Sequence, residues 1–284
     1  MLQAPRLPKA PSPTAPQFDP ASISSGGSDA PDRIGLHAVE GFGKTSFGAM
    51  APSPIFLMAR GETGLLTLIK NGQLPDTPHA PEFQTWQEYL AALNWLRTGE
   101  HKHKTIVLDA AGGFERLCHE HVCEVSFRGD WTENGFASYG KGADVSIPEW
   151  VSMLALLDKI RTERKVGMIL LAHTKVKTFK NPEGPDYDRY MVDMNEKTWG
   201  VTHKWLDLVL FGNFVTEAFK EKGQTRAKGK GGSERVLYST RSAAYDAKNR
   251  HGLPEEIDCG GSYTETWENF VAALKAGKAN KEAA

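Results

Sequence analysis

From Ile34 onward, short apolar runs alternate with segments whose apolar residues recur at helical spacing. The runs Ile34 to Ala38, Pro54 to Ala59, Thr105 to Leu108, Val166 to Ala172 and Leu206 to Phe211 are too short for helices. They carry few polar residues, as expected of strands buried on both faces. Between them the spacing predicts helices over about 44–50, 84–98, 112–126, 148–164 and 194–203. Alternation of this kind predicts an α/β domain, with a mostly parallel central sheet flanked by helices. After Phe211 two β-like runs, Phe214 to Lys220 and Glu234 to Thr240, flank a basic, Gly-rich link and predict a C-terminal antiparallel hairpin. A last helix is expected over Thr264 to Ala276, with Trp267, Phe270 and Leu274 inward and residues 277–284 frayed. Residues 1–31 carry Pro5, Pro8, Pro11, Pro13, Pro16, Pro20 and Pro31 among Ser and Gly, the composition of a disordered tail. The expected organisation is therefore a tail, one domain over 32–276, and a short frayed end.

The first strand runs into Ala38-Val-Glu-Gly-Phe-Gly-Lys-Thr-Ser46, which has the spacing of a phosphate-binding loop. A triphosphate concentrates negative charge that converging backbone N–H groups must meet, and Gly41 and Gly43 permit that turn. Lys44 would bring an ammonium to the β- and γ-phosphates. Thr45 would offer its hydroxyl to Mg²⁺, and the helix that follows would aim its positive end at the anion. Glu40, Gly41, Phe42, Gly43, Lys44, Thr45 and Ser46 are the expected nucleotide-binding residues. The departure from the usual pattern is Ala38, which stands where the first glycine is expected.

The 284 residues, 40% apolar and 24% charged, suit one sizeable core, and a formal net charge of −1 gives no global attraction to polyanions. Cys118, Cys123 and Cys259 are too few for a disulfide framework. Cys118, His119, His121 and Cys123 are close in sequence, but on a helix they point around much of its circumference and no second ligand pair follows, so packing is expected. With no signal peptide or long apolar span, a cytoplasmic protein without a membrane partner is expected.

Further polar residues fall at strand ends, where open α/β sheets bind ligands. Thr105-Ile-Val-Leu-Asp109 ends an apolar strand in an acid able to hold Mg²⁺ together with Thr45. Glu62, just after the second strand, either polarises the attacking water or is a solvated loop carboxylate. His173 ends the fourth strand and is expected to sense the γ-phosphate or its water.

Glu40-Gly-Phe-Gly-Lys-Thr-Ser46, Leu170-Leu-Ala-His-Thr-Lys-Val-Lys177, Tyr187-Asp-Arg-Tyr190 and Tyr245-Asp-Ala-Lys-Asn-Arg250 carry a resemblance. Over roughly residues 33 to 250 the chain resembles the RecA-like P-loop ATPase core. It looks most like phage-encoded nucleotide-binding proteins of that superfamily linked to single-strand annealing and recombination. The resemblance implies ATP and Mg²⁺ as cofactors, DNA-dependent hydrolysis, and a homo-oligomeric ring or filament in the bacterial host cytoplasm. Single-stranded DNA is the implied partner, with a single-strand binding protein or another replication or recombination protein beside it. It puts Lys248 and Arg250 in the role of cations reaching a neighbour's γ-phosphate; the alternative is an exposed basic turn. Two DNA-binding loops are implied. One holds Phe127, Arg128, Trp131, Phe136, Tyr139 and Lys141. The other holds Lys175, Lys177, Phe179, Lys180, Tyr187, Arg189 and Tyr190. Cations and aromatic faces are what single-stranded nucleic acid binding uses. A third basic run, Lys220, Lys222, Arg226, Lys228, Lys230 and Arg235, is expected at a mobile hairpin tip. A helicase-type motor and a non-hydrolysing, nucleotide-dependent binding module are the competing readings.

Overall fold

Each apolar run becomes a strand of one sheet in the computed structural model, which describes residues 19–23, 25, 27–219 and 228–282. The parallel part comprises β1 (Arg33–Ala38), β2 (Pro54–Met58), β3 (Thr105–Asp109), β4 (Gly167–Phe179) and β6 (Leu208–Phe219), in the order β2-β3-β4-β1-β6. β4 therefore separates the P-loop strand β1 from β3, which ends at Asp109. β7 (Lys228–Tyr238) pairs antiparallel with β6 and forms the expected hairpin; β9 (Glu256–Asp258) adds antiparallel to β7. The tip of that hairpin, with Lys220, Lys222 and Arg226, lies outside the described residues, as does most of the Pro-rich tail.

Alternating side chains of the strands feed two apolar layers. Ile106, Leu108, Met168 and Leu170 pack with α3 (Trp86–Thr98), α4 (Ala111–Phe127), α5 (Lys141–Arg164) and α6 (Glu196–Trp205). Val107, Ile169 and Leu171 pack on the other face with α1 (Lys44–Ala49), α2 (Gly64–Lys70) and α7 (Tyr263–Glu282). α3 starts where its local chemistry says it should: Thr85 and Glu88 form a capping box, each side chain satisfying the other's backbone N–H.

Four of the differences from the sequence expectation have a reason in tertiary contact. α2 is too short to show a period, and it forms by burying Leu65. α5 begins at Lys141, ahead of Pro148, because Ala143 and Ser146 are buried on that stretch, where the Ser146 carbonyl meets the Cys118 thiol. β4 continues beyond Ala172 by leaving the parallel sheet and pairing antiparallel with β5 (Tyr187–Val192), from Thr174 opposite Val192 to Phe179 opposite Tyr187. α7 continues past Ala276 because Gly277 lies against the carbonyls of His251 and Gly252, and Lys278 reaches Asp32 at 3.3 Å. No helix among the described residues is long and apolar enough to cross a membrane.

Candidate active site

The C-terminal ends of β1, β4 and β3 bring Lys44, His173 and Asp109 to one edge of the sheet. Gly41 and Gly43 hold φ of +74° and +103°, the left-handed turn that the sequence reserves for glycine. Ala38 has no such requirement. It ends β1 opposite His173 on one side and Gly212 on the other, buried to 1% exposure, so its methyl group packs in the core. Phe42 points inward onto Gly212 and its N–H donates to the Val39 carbonyl at 3.4 Å, so it shapes the loop, whereas Ser46, its hydroxyl buried without a partner, would serve a nucleotide through its backbone N–H.

Lys44 Nζ donates to the carbonyls of Ala38 and Val39 at 3.1 and 3.5 Å. Burial lowers its pKa, against the opposing pull of Asp109, Glu62 and Glu40. Thr45 Oγ1 donates to Asp109 Oδ2 at 3.0 Å. Burial, then the nearby Glu62 charge, push Asp109 up to about 6. A hydroxyl beside a buried carboxylate with excess negative charge around it is a donor set suited to Mg²⁺. Glu62 is turned toward this pair by Gly61 at φ +90° and by its N–H on the Ala59 carbonyl. Its Oε1 lies 3.3 Å from His173 Nε2, and that hydrogen bond raises the histidine's pKa. α2 follows at once, and a Cβ at Gly64 would come within 3.5 Å of Thr45 Oγ1, so the start of this unforeseen helix lies beside the P-loop.

Lys248 and Arg250 lie elsewhere. β8 (Lys248–Asn249) pairs with Val209 and Leu208 at the start of β6, the end of the sheet away from the P-loop. Lys248 Nζ donates to the carbonyls of His203, Lys204 and Leu206, closing the C-terminus of α6. Arg250, 55% exposed, has its guanidinium 3.5 Å from Asp207.

The second expected DNA loop is instead the β4–β5 hairpin, ordered by strand pairing. Its cations meet acids of the same chain: Lys175 with Asp193, Lys177 with Glu196, Lys180 with Asp186. Arg189 donates to the Tyr245 carbonyl and stacks over Phe179 at 5.7 Å. Lys175, Lys177, Lys197, Met191, Met194 and Trp199 border a cavity of about 630 Å³ between the hairpin and α6. In the first expected loop Phe127 and Trp131 each pack on Phe136, Arg128 closes α4 in a left-handed conformation, and Tyr139 is fully exposed. Cys118 and Cys123 are buried as packing residues, and no metal-holding group of three His, Cys, Asp or Glu occurs among the described residues.

Several residues of this region escaped the sequence reading. Arg235 is not at a hairpin tip; it is buried beneath the P-loop, its NH1 3.2 Å from the Phe42 carbonyl. Tyr263, Arg235 and Gly41 line a cavity of about 1060 Å³ beside the loop. His37, 1% exposed in β1, donates from Nε2 to the Asp246 carbonyl at 2.8 Å and accepts from Thr174 Oγ1 at 3.2 Å, which sets its tautomer. A histidine inside an apolar run was the available signal for it.

Burial pushes His37 down to about 4. A depressed pKa contributes stability that is present above the unfolded value near 6.5 and lost as pH falls through 4. The loss expected across that window is about 3 kcal/mol. Urea midpoints of wild type and His37→Gln, measured from pH 7 to pH 4, should show a flatter acid limb in the variant; parallel limbs would exclude His37 as the source.

Residues 30–251 match the protein family described as AAA domain. Among curated proteins, none matches the chain. Among solved structures, the chain is similar to the crystal structure of the RadB recombinase, with 12% identity, 74% of this chain and 80% of that chain covered, and a TM-score of 0.39.

Proposed function

We propose that this chain, which belongs to the AAA domain family, is a Mg²⁺-dependent ATPase of RecA-like type. It binds single-stranded DNA on its β4–β5 hairpin and acts as a ring or filament in annealing or recombination. The observation that carries the reading is the gathering of Lys44, Thr45, Asp109, Glu62 and His173 on one sheet edge, with His173 continuous in β4 with the hairpin. Lys44 would neutralise phosphate oxygens, while Thr45 and ionised Asp109 would hold Mg²⁺. Bound there, Mg²⁺ would draw charge from the phosphates. Glu62 would accept the proton of the attacking water, and His173, its imidazole favoured in the protonated form by Glu62, would steady the carboxylate and the developing anion.

Coupling to DNA is supported by strand continuity. One residue separates His173 from Lys175, and Thr174 between them binds the P-loop strand through His37. Phosphates of the nucleic acid would replace Asp193, Glu196 and Asp186 on the three lysines, which makes binding salt-dependent. With Lys248 engaged on α6, Arg250 is the cation proposed to reach a neighbouring subunit's nucleotide.

ATP hydrolysis measured with and without single-stranded DNA over a range of protein concentrations tests the reading. Turnover per subunit should rise with DNA and with concentration, and the DNA effect should fall steeply with added salt. Absence of hydrolysis would overturn the enzyme assignment. Hydrolysis indifferent to DNA and concentration would overturn the DNA and assembly parts.

A further inference from the structure

The outward display of N–H groups by a phosphate-binding loop leaves carbonyls of the same loop turned toward the protein, and each of these needs a donor. The Phe42 carbonyl finds one in Arg235, whose NH1 lies 3.2 Å away. Arg235 comes from β7, opposite Phe214 on β6, and is only 9% exposed. Its guanidinium lies 4.6 Å from the ring centre of Tyr263 and 6.0 Å from that of Phe42. Tyr263 in turn closes on the loop from outside: a Cβ at Gly43 would fall 2.2 Å from its ring. Among the described residues no carboxylate lies in ion-pair range of Arg235. A shielded cation held by one carbonyl and two aromatic faces is costly to keep as a structural filler. Its worth lies in what it holds.

We propose that Arg235 is a positioning residue for polyphosphate binding. By fixing the Phe42 carbonyl and stacking on Tyr263, it keeps the N–H groups of Gly41, Gly43 and Lys44 convergent on the anion. The inference rests on the P-loop reading above and adds to that site a residue from β7, two strands away from β1. It acts on the phosphate chain, and only through the loop.

The test compares wild type with Arg235→Met and Arg235→Lys, using calorimetric titration with ATP and with inorganic tripolyphosphate, both with Mg²⁺, and steady-state hydrolysis. Lysine keeps the charge but loses the planar fork and the stacking. Both variants should bind both ligands at least about tenfold more weakly, as for loss of a hydrogen bond to a charged group. KM should rise with kcat within about twofold. Equal affinities in variant and wild type would overturn the proposal. So would a loss confined to ATP, which would assign Arg235 to the base through Tyr263. Should the methionine variant melt too low to titrate, the lysine variant carries the comparison. Wild type that binds neither ligand would instead overturn the phosphate-site reading itself.

Discussion

Replacing Lys44 with alanine is expected to abolish ATP binding while leaving the fold nearly as stable as before. The ammonium is held over the site by the Ala38 and Val39 carbonyls at 3.1 and 3.5 Å, and burial already lowers its pKa. A cation kept at that cost contributes little to the unliganded protein. Against a phosphate oxygen about 4 Å away, at an effective dielectric of about 20, it would contribute about 4 kcal/mol, roughly a thousandfold in affinity. Two measurements check this: calorimetric titration with ATP·Mg²⁺, and the thermal shift that ATP induces. The variant should show no heat of binding and no ligand-induced shift, with its unliganded stability within about 1 kcal/mol of wild type. An ATP-induced shift equal to that of wild type would remove Lys44 from the site.

Glu62→Gln separates two roles that the sequence left open. If the carboxylate accepts the proton of the attacking water, the amide should bind ATP normally and lower turnover by about 10² to 10⁴. If it is a solvated loop residue, turnover should change less than about twofold. A second readout is independent of hydrolysis. The hydrogen bond from His173 Nε2 to Glu62 Oε1, 3.3 Å long, is the main cause of the raised His173 pKa. A raised pKa contributes stability that is complete below the unfolded value near 6.5 and disappears as pH climbs through the folded one. Glu62→Gln should therefore return His173 toward its ordinary titration, as followed by its ring proton resonances, and should flatten the stability profile on the side above the unfolded value. An unchanged His173 titration would mean that the two side chains do not interact.

The P-loop and its strand were legible because backbone chemistry there is local. Gly41 and Gly43 adopt the positive φ that their lack of a side chain permits, and Asp109 ends an apolar strand that length and composition define. Strand existence followed from apolar runs buried on both faces. Strand extent did not, because β4 beyond His173 is held by pairing with β5, a partner that lies past a turn and carries the polar residues of an exposed surface. The same limit hid the N-terminal part of α5, where Pro148 reads as a helix start and burial of Ala143 and Ser146 outweighs it.

Charged side chains were the least legible part of the site. Lys248 and Arg235 are both cations in basic stretches, and composition treats them alike. The fold sends Lys248 to the end of α6 and Arg235 under the P-loop. A long cationic side chain takes its meaning from whichever carbonyl, carboxylate or ring reaches it first, and those partners come from segments far away in the chain.

By itself, then, the sequence determined an α/β sheet protein with a phosphate-binding loop and acids at strand ends, because apolar periodicity and glycine conformation act within a few residues. The tertiary structure alone decided that β4 stands between β1 and β3, that α2 starts beside Thr45, that His173 joins the site to a paired hairpin, and that Arg235 braces the loop. Those arrangements depend on strand order and side-chain packing between distant segments, which no local pattern encodes.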